Sequence, residues 1–214
     1  MLGFLNARCT AMIKLGGAGS RSSLALRLVL VGRNRMFSQT PPPDAARGAT
    51  ADLCDTFITD PVDIVNQRNV QIMDPIFRNY GGNSRFKGQA ATVKCFENNP
   101  LVRKALEEEG KGRVLIVDGG GSLRCALLGD NIAEMAHKNG WSGIIINGCI
   151  RDSADIEKMP LGVKALNTYP LKSSKRDLGL RDVPVTFASV VVKPHSWLYA
   201  DKDGVLVAEQ ELKV

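Results

Sequence analysis

Histidine is nearly absent: the 214 residues contain two, His137 and His195. Neither has a serine or cysteine beside it in an elbow-like context, which counts against a nucleophile–histidine triad. The five cysteines are scattered. Cys9 lies near the N-terminus, and Cys54, Cys95, Cys125 and Cys149 are separated by 41, 30 and 24 positions with no CxxC pair. Zinc ribbons and disulfide frameworks need closer or paired spacing, so these thiols read as small buried hydrophobes in a reducing setting. Long apolar runs are missing too. The stretch Leu24–Val31 is broken by Arg27 and falls well short of the roughly 20 residues of a membrane span.

Acidic residues are absent before Asp44, whereas residues 1–43 hold six bases: Arg8, Lys14, Arg21, Arg27, Arg33 and Arg35. The chain carries 28 Lys and Arg against 22 Asp and Glu, so the remainder holds 28 − 6 = 22 bases against 22 acids. Its body is neutral, and the composition argument for direct nucleic-acid binding disappears. Spaced arginines, several serines and no acids make residues 1–43 look like a mitochondrial transit peptide and linker, with Pro41–Pro43 as a stiff lead-in. A disordered basic arm on a cytoplasmic protein is the alternative. Residues 44–214 then form one domain, because 44% apolar and 23% charged residues is globular composition.

What the body does contain is βαβ grammar. A short helix is expected over Thr50–Phe57 and a strand over Phe86–Phe96, with Ala91, Val93 and Cys95 sharing one face. Asn99 caps a helix with Pro100 in its first turn that stops at Gly110. Arg113–Asp118 reads as a buried strand, Asp130 as the N-cap of a helix closed by Gly140, and Gly143–Asn147 as a second buried strand parallel to the first. Further strands are expected near Gly162–Leu166, Val183–Phe187, Val190–Val192, Trp197–Ala200 and Val205–Ala208, and a loop over Lys172–Asp182.

Two familiar motifs fail. After Gly119-Gly120-Gly121 the third glycine of GxGxxG would fall at Arg124, and Gly110-Lys111-Gly112 lacks the Ser or Thr of a phosphate loop. One polar cluster remains, Asn147-Gly-Cys-Ile-Arg-Asp-Ser-Ala-Asp155, at the carboxyl end of a buried strand, where open α/β sheets bind ligands. The neighbouring helix start, from Asp130 to Ile132, offers backbone N–H groups to an anion, and Arg151 a planar fork to a second carboxylate. Asp130, Asp152 and Asp155 are hard oxygen ligands without His or Cys, which favours Mg²⁺ or Mn²⁺ over Zn²⁺. From spacing alone, a structural Arg151–Asp152 pair with Asp130 as a mere helix cap explains the cluster equally well.

At these residues the sequence resembles the RraA-like family, which contains the regulator of ribonuclease activity A and the class II 4-hydroxy-4-methyl-2-oxoglutarate aldolases. The resemblance spans about Thr50 to Leu212 through Thr50-Ala-Asp-Leu-Cys-Asp55, Arg113–Asp130, Gly140-Trp-Ser-Gly143, Asn147–Asp152 and Trp197–Gly204. The family's aldolase signature, an acid, twenty positions, Arg-Asp, two positions and an acid, is met by Asp130, Arg151-Asp152 and Asp155. Members that only inhibit the ribonuclease tend to lack the last acid or the Arg-Asp pair.

The resemblance implies a single α/β domain with a central βαβ sandwich of the phosphohistidine-swivelling type. It implies a homotrimer or a dimer of trimers, with sites between neighbouring subunits. Asp152 would hold the divalent metal and Arg151 would bind substrate and neutralise oxygen charge. Gly129, Asp130, Asn131 and Ile132 would hold the pyruvyl carboxylate, and Asp130 would orient water, with Asp155 completing the catalytic set. The implied reaction is cleavage of 4-hydroxy-4-methyl-2-oxoglutarate to two pyruvates, with oxaloacetate decarboxylation through the same enolate. The rival is a non-catalytic regulator that binds a ribonuclease, and a related lyase or methyltransferase-like protein is a third reading. One departure is Pro194-His195-Ser196, where many relatives have Pro-Gly-Asp.

Overall fold

The two apolar runs bounded by glycines are the middle of the fold. Strands β4 (Val114–Asp118) and β6 (Gly143–Ile150) are buried along their whole lengths and pair in parallel, Val114 opposite Gly143 and Asp118 opposite Asn147. The computed structural model describes residues 49–59, 70–176 and 178–213, so the basic arm lies outside the described residues. Both faces of these strands are covered, as a parallel sheet requires. Leu115, Val117, Ile144 and Ile146 enter one core, whereas Val114, Ile116 and Ile145 enter another.

In chain order the described elements are helix α1 (Thr50–Phe57), β1 (Val70–Ile72), β2 (Arg78–Asn79), β3 (Phe86–Lys94), α2 (Pro100–Glu107), β4, β5 (Ala126–Leu128), α3 (Asp130–Lys138), β6, α4 (Ser153–Ile156), β7 (Gly162–Thr168), β8 (Leu180–Arg181), β9 (Val185–Phe187), β10 (Val190–Val192), β11 (Trp197–Ala200) and β12 (Val205–Ala208). Ten strands form one mixed sheet, ordered β1-β12-β11-β3-β4-β6-β7-β2, with β5 attached to β6 and β8 to β3. Strands β3, β4, β6 and β7 run parallel, and antiparallel strands flank them. Strands β9 and β10 form a separate hairpin over the second core.

Helices α2 and α3 cover the first core with Val102, Ala105, Leu106, Ala133 and Ala136. Phe86 closes the second, its ring lying where a Cβ on Gly143 or Gly162 would stand, at 2.3 and 2.1 Å. A third small core joins Leu53 of α1 to Val70, Tyr199 and Leu206. Helix α1 has no side-chain cap of its own. The buried Asp201 carboxylate accepts from Thr50 N at 2.7 Å and from Thr50 Oγ1 at 2.6 Å instead. Among the described residues no helix is long and apolar enough to cross a membrane.

The α/β single-domain expectation holds, with five local corrections. The strand expected over Phe86–Phe96 ends at Lys94. The second buried strand does not stop at Asn147 but continues to Ile150, past an irregularity between Ile146 and Cys149. The helix after Asp130 is capped by Gly129, so Asp130 is its first helical residue. Helix α2 ends at Glu107, with Gly110 instead accepting the Trp141 corner at close quarters. The expected loop over Lys172–Asp182 contains β8 on β3, fixed by a paired Arg181 and Glu108 at 2.6 Å.

Candidate active site

Strand β5 is what assembles the site. Its three residues pair in parallel with the last turn of β6, Ala126 opposite Cys149 and Leu128 opposite Ile150, and Arg151 N donates to Leu128 O at 2.9 Å. The chain therefore leaves both strands at the same level, which sets Gly129-Asp130 beside Arg151-Asp152 although twenty residues separate them. Asp152 takes φ 55° and ψ 35°, a left-handed conformation that aspartate tolerates better than most residues. That turn folds its carboxylate back on its neighbour, with Arg151 Nε 3.2 Å from Asp152 Oδ2. The same oxygen lies 3.4 Å from Asp130 N, so Asp152 faces the positive end of the α3 dipole.

Gly129 permits this approach. A Cβ there would stand 2.7 Å from Asp152 Oδ2 and 3.0 Å from Arg151 Nε. The two side chains are a third exposed, at 37% and 35%, so the pair is reachable from solvent. Arg151 and the start of α3 line a cavity of about 510 Å³, together with Asn99, Arg103, Lys172 and Ser173.

Of the residues singled out from sequence, Gly129, Asp130, Asn131, Ile132 and Arg151 all line this cavity. Asp152 borders them through Arg151 and Asp130. Asp155 does not line the cavity. It sits on the single turn α4, its Oδ1 2.9 Å from Lys158 Nζ. The expected free N–H groups of the helix start are engaged instead. Asn131 N donates to Asp130 Oδ1 at 2.7 Å, Ile132 N to Gly129 O at 3.2 Å, and Asp130 N faces Asp152. The three aspartates also fail to converge on one point, and among the described residues no three His, Cys, Asp or Glu side chains form a metal-sized cluster. Asp130 is turned to Asn131 and Asp155 to Lys158, which leaves Asp152. Its Oδ1 accepts no hydrogen bond among the described residues, and one free carboxylate oxygen suits a hard cation that keeps most of its waters.

Two features were missed in the sequence. The segment Leu171–Ser174 is pinned along β5 and the start of α2: Ala126 N donates to Leu171 O at 2.8 Å, Ser173 N to Ala126 O at 3.0 Å, and Asn99 N to Ser174 O at 3.3 Å. The other is the role of Asn147, which the sequence placed in the polar cluster: its side chain is 91% buried and donates to Asp118 Oδ1 at 3.2 Å, tying the middle of β6 to the end of β4. Cys95, Cys125 and Cys149 are buried and Cys54 is half-buried, with no disulfide among them.

The family model described as RraA-like, Aldolase/RraA, matches residues 50–207. A protein of Alkalilimnicola ehrlichii named "Putative 4-hydroxy-4-methyl-2-oxoglutarate aldolase" is 53% identical over 163 residues, covering 76% of this chain and 96% of its own. One of the same name from Halorhodospira halophila is also 53% identical over 163 residues, with the same coverage. Among solved structures, one described as an S-adenosylmethionine:2-dimethylmenaquinone methyltransferase from Geobacillus kaustophilus superposes with a TM-score of 0.71 at 49% identity. It covers 77% of this chain and 96% of that one. The RNA-processing inhibitor RraA from Thermus thermophilis gives a TM-score of 0.71 at 42% identity, covering 78% and 95%.

Proposed function

We propose, from the premise that the chain belongs to the RraA-like family, that it is a divalent-metal-dependent class II aldolase cleaving 4-hydroxy-4-methyl-2-oxoglutarate to two pyruvates. Oxaloacetate decarboxylation is the expected companion, because it passes through the same pyruvate enolate. The observation that carries the reading is the Arg151–Asp152 pair beside the helix start of α3 at the rim of a cavity sized for a small diacid. Relatives that carry the aldolase name support it.

Asp152 would hold Mg²⁺ or Mn²⁺ through Oδ1. When bound to a 2-keto acid, such a cation supplies Lewis-acid stabilisation of the negative charge that develops as the carbon–carbon bond breaks. The chain's own residues do the rest. The pyruvyl carboxylate takes the place of the Asp130 side chain at Asn131 N, where the helix dipole favours an anion. Asp130, released from Asn131, orients the water that accepts the C4 hydroxyl proton. Arg151 donates to the substrate oxygen that gains charge, and Asp152 Oδ2 holds the guanidinium in place. Asp155 lies one helical turn beyond Asp152 and would complete the acid set once its pairing with Lys158 opens.

The test follows pyruvate release from 4-hydroxy-4-methyl-2-oxoglutarate and from oxaloacetate, with Mg²⁺ and with EDTA. Metal-dependent release from both supports the reading; no release from either overturns it. The likeness to RraA favours one second reading, a regulator that binds a ribonuclease, which would bind its partner and turn over neither acid. Two further proposals accompany the aldolase reading. A trimeric ring or a dimer of rings would give a light-scattering mass of three or six chains, and residues 1–43 fused to a fluorescent protein would carry it to mitochondria.

A further inference from the structure

Asparagine at the N-cap of a helix ordinarily turns its side-chain oxygen to the first free N–H groups. Asn99 occupies that position in α2 and makes no such bond. Its Nδ2 donates instead to Leu127 O at 3.1 Å, 28 residues further along the chain. Leu127 is the middle residue of β5 and is 2% exposed, so the bond reaches into the strand that assembles the site.

The backbone of Asn99 makes two more connections. Its O accepts from Arg103 N at 3.0 Å in the first turn of α2, and its N donates to Ser174 O at 3.3 Å. One half-buried residue thus joins α2, β5 and the segment Leu171–Ser174, and it lines the cavity together with Gly129, Asp130 and Arg151. Strand β5 has three residues and few bonds of its own, so a side-chain bond at its centre counts for more than in a long strand. The next residue, Leu128, is the one whose O accepts from Arg151 N at 2.9 Å.

We propose that Asn99 is a positioning residue for the site: through Leu127 it fixes the level at which Gly129-Asp130 meets Arg151-Asp152. Helix α2 tolerates the diverted side chain because Pro100 leads it, with no N–H to satisfy and a φ already suited to the helix. The consequence for turnover rests on the aldolase reading, whereas the hold on β5 does not. A looser β5 lets the start of α3 and the Arg151-Asp152 turn drift relative to one another, while each keeps its own geometry. Carboxylate docking at Asn131 N is local to α3, so the loss falls on kcat more than on KM.

Asn99→Ser separates this role from capping, because serine caps a helix about as well as asparagine but is too short to reach Leu127. The measurements are backbone amide hydrogen exchange, melting temperature and Mg²⁺-dependent pyruvate release from oxaloacetate. In Asn99→Ser the Arg151 and Ser173 amides exchange at least about tenfold faster, those of Val117 and Ile145 stay as in wild type, and Tm moves by less than about 3 °C. The kcat falls about tenfold with KM within about twofold, a loss of the size that slight misplacement causes. Asn99→Ala repeats the exchange and kinetic changes without the new cap that serine brings, and melts lower. Wild-type exchange at Arg151 in Asn99→Ser, wild-type kcat in either variant, or losses in Asn99→Ala that Asn99→Ser restores overturns the proposal, the last outcome making Asn99 a helix cap alone. Equal acceleration across β4 and β6 overturns it as well, as general destabilisation. A wild-type protein that releases no pyruvate sinks the aldolase reading, and the exchange pattern still decides the hold on β5.

Discussion

Arg151 and Asp152, adjacent in the chain, turn back on one another so that Nε and Oδ2 stand 3.2 Å apart, and the left-handed φ of 55° at Asp152 makes this possible. Asp152→Asn keeps the shape of the side chain but removes the charge that steadies Arg151 and would hold the cation. Turnover should fall at least about a hundredfold, with weaker dependence of the residual rate on Mg²⁺. A variant that keeps wild-type kcat/KM, and keeps it in EDTA, would remove Asp152 from the mechanism.

Gly129→Ala tests the same geometry from the other side. Its φ of −132° suits alanine, so the cost is not backbone strain. The added Cβ would meet Asp152 Oδ2 at 2.7 Å and Arg151 Nε at 3.0 Å. The pair has to move by a few tenths of an ångström or more, and positioning losses of that kind cost roughly 10- to 100-fold in kcat/KM. The melting temperature should change little, since the site is a third exposed. Unchanged kinetics would mean that the observed spacing is not required.

The buried strands were legible because their apolar residues are continuous and their ends are glycines: Val114–Asp118 and the first part of Gly143–Ile150 need no tertiary knowledge. Helix α2 was legible from Asn99-Pro100. Strand β5 was not, because three apolar residues after a glycine-rich turn carry no period, and it is pairing with β6 that makes Ala126–Leu128 a strand. This matters for the site, whose two halves meet only through that pairing. The signature joining Asp130 to Arg151-Asp152 came from family resemblance, and residue spacing alone left a structural ion pair equally open. Lys172–Lys175 looked like an unpatterned basic loop for a related reason. Its place is set by backbone bonds to Ala126 and Asn99, which no side-chain pattern announces.

Asp201 ties α1 to the sheet, and its loss should be felt in stability rather than chemistry. Replacing it by alanine removes the bonds from Thr50 N and Oγ1 and those from Asp203 N and Gly204 N, and should cost about 2–3 kcal/mol, or roughly 5–10 °C in Tm.

The pH dependence of the same group has a definite sign. Burial pushes the Asp201 carboxyl up, but bonds from Thr50 Oγ1 and N, Asp203 N and Gly204 N outweigh burial and hold it below the ordinary carboxylate value. A depressed folded value means that the contribution is present above the unfolded value and lost as pH falls through the folded one. The Tm advantage of wild type over Asp201→Asn should therefore persist at about pH 6 and shrink toward about pH 3. An advantage that grows on acidification would contradict the assignment.

The cysteines supply a prediction independent of catalysis. Burial, with Asp118 and Cys125 nearby, pushes the Cys95 thiol up to about 12, and burial raises Cys125 and Cys149 as well. The thiolate is the reactive form, so at about pH 8 only about one Cys95 in ten thousand is ionised, and Cys95 is also shielded by the first core. Among the described cysteines, iodoacetamide should modify Cys54 first in the native protein, because it alone is half-buried, although burial and nearby Asp55 raise its thiol too. Cys95, Cys125 and Cys149 should react only when the chain is unfolded in urea, as read by peptide mass spectrometry. Labelling of Cys95 as fast in the native state as in urea would show that the end of β3, in the middle of the sheet, opens freely. That would undercut the rigid frame on which β4, β6 and the Arg151–Asp152 pair depend.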